Sequence, residues 1–199
     1  MPINLLLIKN TYDPLTSFNL YFDLKGIKCH SIFYDQLKPM PYLAAYDGII
    51  LSGTDYPAVV SNLPLYDDEI DLIQSTAIPV LGICGGLHVI CQAFGGGVGR
   101  LKQPVYGRTL VNYKLSERLF SGLPNPCTMF SRHLYYINTV PKGFITTAYS
   151  WPHGIVYGLR HHTRPLFGVQ FHPERRNDGY LLLDNYTHFL QAEIGSHSA

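Results

Sequence analysis

Residues 78–94 read IPVLGICGGLHVICQAF, and they predict a strand that turns directly into a helix. The apolar run Ile78–Ile83 is typical of a fully buried strand, and after the glycines the apolar residues recur at helical spacing. A strand and a helix joined within two or three residues form a sharp turn, where crowded backbones favour glycine because it has no Cβ. Gly82, Gly85 and Gly86 stand at this turn.

Cys84 occupies the tip of the predicted turn, within Gly82-Ile83-Cys84-Gly85-Gly86. In the related G-x-S-x-G turn, the nucleophile stands clear of the sheet and the next backbone N–H can bind an oxyanion. The pattern here puts a thiol at that point, and the helix N-terminus that follows favours the reactive thiolate. The alternative is a small apolar cysteine packed at a tight turn. Cys91, two helical turns further on, is predicted to lie in the core.

A second motif, PLFGVQFHPE at residues 165–174, supplies the groups that a nucleophilic thiol needs. His172 follows a strand-like run and Glu174 comes two positions later, so both side chains can leave one face of an extended segment. A thiol requires a base, and the base requires a partner that fixes its tautomer. Alone, His172 could be a strand-end histidine and Glu174 a surface charge, but together with Cys84 they favour a catalytic triad.

The two motifs, GICGG and then GVQFHPE, resemble the class I (triad) glutamine amidotransferases. That family includes the glutaminase domains of GMP synthetase, anthranilate synthase, aminodeoxychorismate synthase and carbamoyl-phosphate synthetase. The resemblance covers nearly the whole chain. It extends to three further segments of the family pattern: DGIILSG at 47–53, AFGGGVGRL at 93–101 and LFSGLP at 119–124.

The resemblance also implies an oxyanion site. Residues 52–57, SGTDYP, resemble the family's SGGPxxP loop. Carried over, Gly53 belongs to the substrate site, and the backbone N–H groups of Thr54 and Gly85 bind the oxyanion. Thr54 departs from the family's glycine, and a β-branched residue resists a positive φ, so the loop could be set differently. The alternative for this segment alone is an ordinary strand-to-helix turn.

Two further substrate contacts follow from the resemblance. His88 stands where the family usually has glutamine; it could imitate an amide, mark a changed substrate, or pack against the core. Ser131-Arg132-His133-Leu134 aligns with the segment whose backbone holds the α-amino and α-carboxylate groups of glutamine, although the family usually reads YHSL or HSH there. Arg132 could pair with a substrate carboxylate, or it could be a solvated arginine.

The order of predicted elements indicates an α/β fold. Apolar runs predict strands at Ile3–Ile8, Lys28–Tyr34 and Asp47–Leu51, and helices are predicted at Ser17–Leu24, Leu65–Thr76 and Tyr180–Glu193. We expect a flavodoxin-like, mostly parallel sheet flanked by helices, as in class I glutamine amidotransferases, with a small section of short antiparallel strands between residues 100 and 149. Sites in such sheets form outside the carboxyl ends of the strands, where Ser52-Gly53-Thr54, Cys84 and His172 are predicted to converge.

Three acidic residues begin the predicted helix at 65–76. Asp67, Asp68 and Glu69 fall in its first turn, where negative charge suits the helix dipole. We interpret all three as a solvated helix start.

The composition sets limits on location and partners. The 199 residues are 46% hydrophobic with a formal net charge of +1, which indicates neither disorder nor a nucleic-acid surface. Four cysteines without a CxxC pattern indicate reduced thiols in a cytoplasmic protein. No signal peptide or membrane span is predicted. We expect a single domain over residues 1–199, with about the last five residues frayed.

The predicted function is therefore hydrolysis of the γ-amide of glutamine through a cysteine γ-glutamyl thioester, with the ammonia supplied to a separate synthase partner. Cys84 attacks, His172 transfers protons and Glu174 orients His172, so the reaction needs neither a metal nor an organic cofactor. One alternative is a free-standing hydrolase of γ-glutamyl peptides or conjugates. The other is a non-catalytic regulatory or binding subunit that keeps the fold.

Overall fold

The structure, a computed structural model, describes residues 2–54, 59 and 63–197. Within these residues, one sheet of nine strands is accompanied by four α-helices. The strands are β1 Asn4–Lys9, β2 Lys28–Phe33, β3 Gly48–Leu51, β4 Val80–Ile83, β5 Gly97–Tyr113, β6 Cys127–Thr139, β7 Phe144–Trp151, β8 Val156–His161 and β9 Leu166–Val169. The helices are α1 Thr16–Lys25, α2 Asp67–Ser75, α3 Gly85–Ala93 and α4 Gly179–His197.

Five strands form a parallel half-sheet in the order β2-β1-β3-β4-β9. The strands β3, β4 and β9 are buried throughout because helices cover both faces. Successive side chains alternate between two cores, so Leu5 and Leu7 pack with residues of α1 and α4 whereas Leu6 and Ile8 pack with residues of α2 and α3. The predicted α/β class is confirmed.

The other half of the sheet is antiparallel and larger than predicted. Strands β8, β6, β5 and β7 are neighbours in that order, and β7 also pairs with β8, so these four strands close into a barrel-like unit. The expectation of a mostly parallel, flavodoxin-like sheet with a small section of short antiparallel strands is therefore wrong for this half. With 17 residues in β5 and 13 in β6, these are the long strands of the fold.

The predicted helices and the strands of the parallel half lie within a few residues of their observed positions. Two details differ. Strand β2 is largely exposed because it lies at the sheet edge, and Glu69, predicted to be solvated with Asp67 and Asp68, is fully buried. Asp55, Tyr56 and Pro57 of the predicted oxyanion loop lie outside the described residues, as do the last two residues of the end expected to fray.

No helix among the described residues combines the length and the apolarity that crossing a membrane requires.

The fold brings three strand ends together. β3, β4 and β9 are adjacent and parallel, so their carboxyl ends meet at one edge of the sheet. Ser52, Cys84 and Gln170 are the first residues beyond these three ends, and His172 follows two residues later. The predicted convergence of the site at this edge is what the topology shows.

Candidate active site

Cys84 sits in a strained turn between β4 and α3. Its φ of 52° and ψ of −100° are unusual for a residue with a side chain, and its N–H donates to the Val169 carbonyl at 2.8 Å. The helix that follows lies against β3 so closely that a Cβ on Gly86 would come within 2.5 Å of the Leu51 carbonyl oxygen. Glycine is therefore required there, and the Cys84 side chain, 5% exposed, is held at the sheet edge.

His172 and Glu174 form a closely held pair beside Cys84. His172 Nδ1 lies 2.7 Å from Glu174 Oε1, and the imidazole interacts electrostatically with Cys84. The His172 backbone N–H donates to the Phe130 carbonyl at 2.7 Å, which ties this segment to β6. Burial alone would lower the pKa of His172, but the negative charges of Glu174 and Cys84 outweigh it and hold that pKa well above its usual value.

The two predicted oxyanion donors lie next to each other. A Cβ on Gly85 would come within 2.7 Å of the Thr54 backbone nitrogen, so the two backbone segments are in contact. Gly85 is the first residue of α3, and its N–H therefore has no helical acceptor four residues earlier. Thr54 is not among the described residues with positive φ, which agrees with the resistance expected of a β-branched side chain.

His88 is buried and linked to Cys84 through one glutamine. Its Nε2 lies 2.9 Å from Gln170 Oε1, and Gln170 Nε2 donates to the Cys84 sulfur at 3.7 Å. Burial lowers the pKa of His88 to about 4, although the hydrogen bond to Gln170 partly opposes this, so His88 is neutral at pH 7. Because a carbonyl oxygen only accepts, His88 carries its proton on Nε2, and Nδ1 remains an acceptor. Gln170 was not singled out from the sequence, although it stands inside the GVQFHPE motif.

The segment Ser131–His133 runs along β6 beside the thiol. Cys84 Sγ lies 3.8 Å from the Arg132 carbonyl oxygen. The Ser131 hydroxyl is engaged by Thr109 at 2.8 Å, and His133 donates from Nδ1 to the Tyr135 carbonyl while Nε2 accepts from the Tyr157 hydroxyl. The side chains of Ser131 and His133 are thus already partnered, and both residues are paired with β5, opposite Gly107 and Val105.

Two cavities meet at these residues. One, of about 490 Å³, is lined by Cys84, Gly85, His88 and Arg132 and is large enough for an amino acid. Pro104 and Val105 of β5 also line it, at the point where the pairing of β5 with β6 is irregular between Arg100 and Val105. The other cavity, of about 350 Å³, lies on the side of His172, Glu174 and the start of α1.

Gly53 lies between the His172 imidazole and the Cys84 side chain, so a larger residue at this position is expected to displace one of them. A Cβ at this position would lie 2.9 Å from His172 Cε1 and 3.5 Å from Cys84 Cβ. We expect Gly53→Ala to displace His172 and to lower kcat by about 10²-fold, because a shift of roughly 1 Å at reacting groups has an effect of that size. The measurement is steady-state glutaminase activity beside a thermal unfolding curve. Gly195→Ala, in α4 with open space around it and no positive φ, is the matched control. Normal kcat in Gly53→Ala would contradict the close packing.

Comparisons with known proteins point to one family. The sequence profile of the family described as "Glutamine amidotransferase class-I" matches residues 11–180. The chain is 36% identical over 145 residues to a glutamine-hydrolyzing GMP synthase subunit of Thermoplasma acidophilum, covering 69% of this chain and 68% of that protein. It is 42% identical over 130 residues to the anthranilate synthase component 2 of Methanocaldococcus jannaschii, covering 64% of this chain and 62% of that protein.

A solved structure extends the likeness to the whole fold. A protein of Thermoplasma acidophilum described as a candidate GMP synthase subunit superimposes with a TM-score of 0.89 at 26% identity, over 100% of this chain and 99% of that one. Some relatives are much longer: the match spans 27% of the GMP synthase (glutamine-hydrolyzing) of Acetivibrio thermocellus.

Proposed function

The chain belongs to the class-I glutamine amidotransferases, and from that premise we propose that Cys84, His172 and Glu174 hydrolyse the γ-amide of glutamine. The observation that carries the proposal is that Cys84 and His172 both lie against Gly53, while His172 Nδ1 lies 2.7 Å from the Glu174 carboxylate. A nucleophile, a base and a group that orients the base are the parts that acyl transfer requires.

The first half-reaction forms a thioester. The Cys84 thiolate forms a bond to the amide carbon, and the carbonyl electrons move to the oxygen, which the N–H groups of Thr54 and Gly85 stabilise. The protonated His172 then donates its proton to the amide nitrogen. The carbon–nitrogen bond breaks, ammonia leaves, and a γ-glutamyl thioester remains on Cys84.

The second half-reaction restores the enzyme. Neutral His172 removes a proton from water, and the hydroxide adds to the thioester carbon. The carbon–sulfur bond then breaks, which releases glutamate and returns the thiolate beside the imidazolium. Glu174 holds the imidazole in the orientation that both transfers use. No step in this scheme requires a cofactor.

The 490 Å³ cavity is the proposed binding site for glutamine. Arg132 lines it and offers a cation for the α-carboxylate, and the α-substituents are proposed to lie along the β6 segment that holds Ser131 and His133. His88 lines the same cavity with Nδ1 as an acceptor, so of the three interpretations of this residue we favour the one in which it takes over part of the role of an amide.

We also propose that the ammonia passes to a separate synthase. Two relatives carry names that make them parts of larger synthases, one a GMP synthase and the other an anthranilate synthase, which supports a divided arrangement here. The cavity beside His172 and Glu174 lies on the side of the base away from the glutamine cavity, and it is a suitable exit for ammonia. We place the activity in one domain and in the cytoplasm, where the four unpaired cysteines remain reduced.

The test is release of ammonia and glutamate from L-glutamine by the purified chain, beside a panel of γ-glutamyl dipeptides and with His88→Gln as a second enzyme. Thioester capture with hydroxylamine detects the first half-reaction even if turnover is slow without a synthase. We expect glutamine to be the preferred substrate, and His88→Gln to change kcat/KM for glutamine less than about 5-fold, because a glutamine side chain also offers an acceptor.

Preferential hydrolysis of γ-glutamyl dipeptides would contradict this and favour the free-standing hydrolase. A gain of at least about 10-fold in glutamine preference in His88→Gln would then identify His88 as the residue that sets specificity.

A further inference from the structure

Behind the oxyanion loop lies a buried carboxyl group that the proposed reaction does not use. Glu69, on α2, is fully buried, and its Oε1 accepts a hydrogen bond from Asn10 Nδ2 at 3.1 Å. Its other oxygen, Oε2, has no hydrogen-bond partner among the described residues, and neither has Asn10 Oδ1. As long as Glu69 is ionised, Glu69 Oε2 and Asn10 Oδ1 are both acceptors and cannot form a hydrogen bond with each other.

One proton satisfies both of these atoms. A carboxylic acid with its proton on Oε2 becomes a donor, and Asn10 Oδ1 is the neighbouring acceptor that lacks one. We propose that Glu69 is kept as a neutral carboxylic acid in a two-point hydrogen-bonded pair with Asn10, and that this pair positions Ser52 and Gly53 at the start of the predicted oxyanion loop. An unpaired buried carboxylate would be far more costly than this neutral pair.

Burial supports the neutral form. It raises the pKa of Glu69 from 4.5 to about 8, although the hydrogen bond from Asn10 lowers it somewhat. The titratable side chains that interact electrostatically with Glu69 in the described part of the chain are the phenols of Tyr34 and Tyr66. Burial raises the pKa of Tyr66 to about 12 and that of Tyr34 in the same direction, so both are neutral wherever Glu69 titrates.

Hydrogen bonds connect the pair to the loop. The Asn10 backbone N–H donates to Ser52 Oγ at 2.9 Å, and Asn10 Nδ2 donates to the Ser52 carbonyl at 3.3 Å. Ser52 Oγ in turn donates to the Gly53 carbonyl at 3.0 Å, and the Gly86 N–H donates to the Ser52 carbonyl at 3.1 Å. Glu69 is thus a positioning residue that acts through Asn10 and Ser52, and its importance for turnover rests on the proposed function.

The direction of the pH effect follows from proton binding. The folded chain holds the Glu69 proton up to about pH 8, whereas in the unfolded chain the group titrates near 4.5. The folded state therefore binds more protons between these values, and this group's contribution to stability falls as the pH rises through that window. Above about pH 8 the carboxylate forms in the folded protein, and the hydrogen bond from Oε2 to Asn10 Oδ1 is lost while the one from Asn10 Nδ2 to Oε1 can remain.

Thermal unfolding tests the neutral acid without any turnover. Glu69→Gln retains a donor and an acceptor but does not titrate, and Asp71→Asn removes an exposed carboxylate from the same helix as a control. Between pH 5 and pH 8 we expect the Tm of the wild type to fall relative to that of Glu69→Gln by at least about 5 °C, with Asp71→Asn following the wild type. Parallel Tm curves for the wild type and Glu69→Gln would overturn the proposal.

The positioning role is tested by kcat for glutamine as a function of pH. We expect Glu69→Gln to stay within about 3-fold of the wild type at pH 7 and to retain its activity above pH 8, where wild-type kcat declines. Glu69→Met, which removes both hydrogen bonds, should lose about 10- to 100-fold in kcat with little change in KM, as for displacement of an oxyanion donor. Equal alkaline decline in Glu69→Gln and the wild type, or full activity in Glu69→Met, would overturn this role.

The two proposals fail in different ways. If the chain does not turn over glutamine, the rate at which a chloroketone analogue of glutamine labels Cys84 is measured in place of kcat. The wild type, Glu69→Gln and Glu69→Met are expected to rank in the same order. The Tm curves depend only on the protonation of Glu69. If the Tm curves show the pH dependence expected for a neutral Glu69 but the chain has no glutaminase activity, only the proposed function is contradicted.

Discussion

Replacing Cys84 by alanine is expected to reduce release of ammonia from glutamine by roughly 10⁴-fold or more, to the level of the background reaction. The Cys84 sulfur forms the covalent intermediate. Of the described residues beside it, His172 carries an imidazole and Gln170 an amide, and neither group takes the place of the sulfur as nucleophile in the proposed reaction. The measurement is coupled detection of glutamate, together with mass spectrometry of enzyme quenched during turnover. A mass increase for a γ-glutamyl group should appear in the wild type and be absent in Cys84→Ala.

Cys91→Ala is the matched control for that experiment. Cys91 lies on the same helix and is fully buried, and burial raises the pKa of its thiol to about 12, so it is an unreactive thiol at neutral pH. We expect this variant to keep its activity within a few-fold of the wild type. Thioester formation in Cys84→Ala, or its loss in Cys91→Ala alone, would show that the nucleophile is misassigned.

The turn around Cys84 could be predicted because its determinants are local. Strand length, helical spacing and glycines at points of close approach all occur within residues 78–94, and Gly86 shows the steric reason directly. The meeting of Cys84 with His172 could be expected from topology, because adjacent parallel strands end at the same edge of a sheet.

The antiparallel half could not be predicted in the same way. Residues 97–113, GVGRLKQPVYGRTLVNY, contain three glycines and a proline, which are typical of loops, and yet they form one long strand. Its stability comes from distant partners, such as the pairing of Leu110 with Trp151 and the long register with β6. Pairings of this kind are set by packing of the whole chain and leave little trace in local sequence.

Buried polar residues were the other features that local patterns missed. Glu69 follows two aspartates at a helix start and has the pattern of a solvated residue, but α2 turns it inward towards Asn10, 59 positions away in sequence. Gln170 is buried between His88 and Cys84 for the same kind of reason. A side chain whose partners are distant in sequence can be interpreted only after the fold has brought them together.

Replacing His172 by asparagine is expected to lower kcat for glutamine on the order of 10³- to 10⁴-fold, because the amide nitrogen leaves without a proton and water attacks without a base. The same substitution should change how Cys84 reacts with iodoacetamide. In the wild type, the charges of Glu174 and Cys84 hold the pKa of His172 well above its usual value in spite of burial, so the imidazole stays protonated through neutral pH and is a cation near the sulfur.

The pH dependence of alkylation separates this role from a merely structural one. At pH 6.5 we expect the wild type to be alkylated at least about 10-fold faster than His172→Asn, because a nearby imidazolium favours the anionic sulfur that attacks iodoacetamide. This difference should shrink as the pH rises, because base then ionises the thiol of His172→Asn without help from a neighbouring cation. His153→Asn, at an exposed histidine, is the control and should follow the wild type. If the profile of His172→Asn instead coincides with that of the wild type, the thiolate does not depend on His172, and the base must be sought elsewhere.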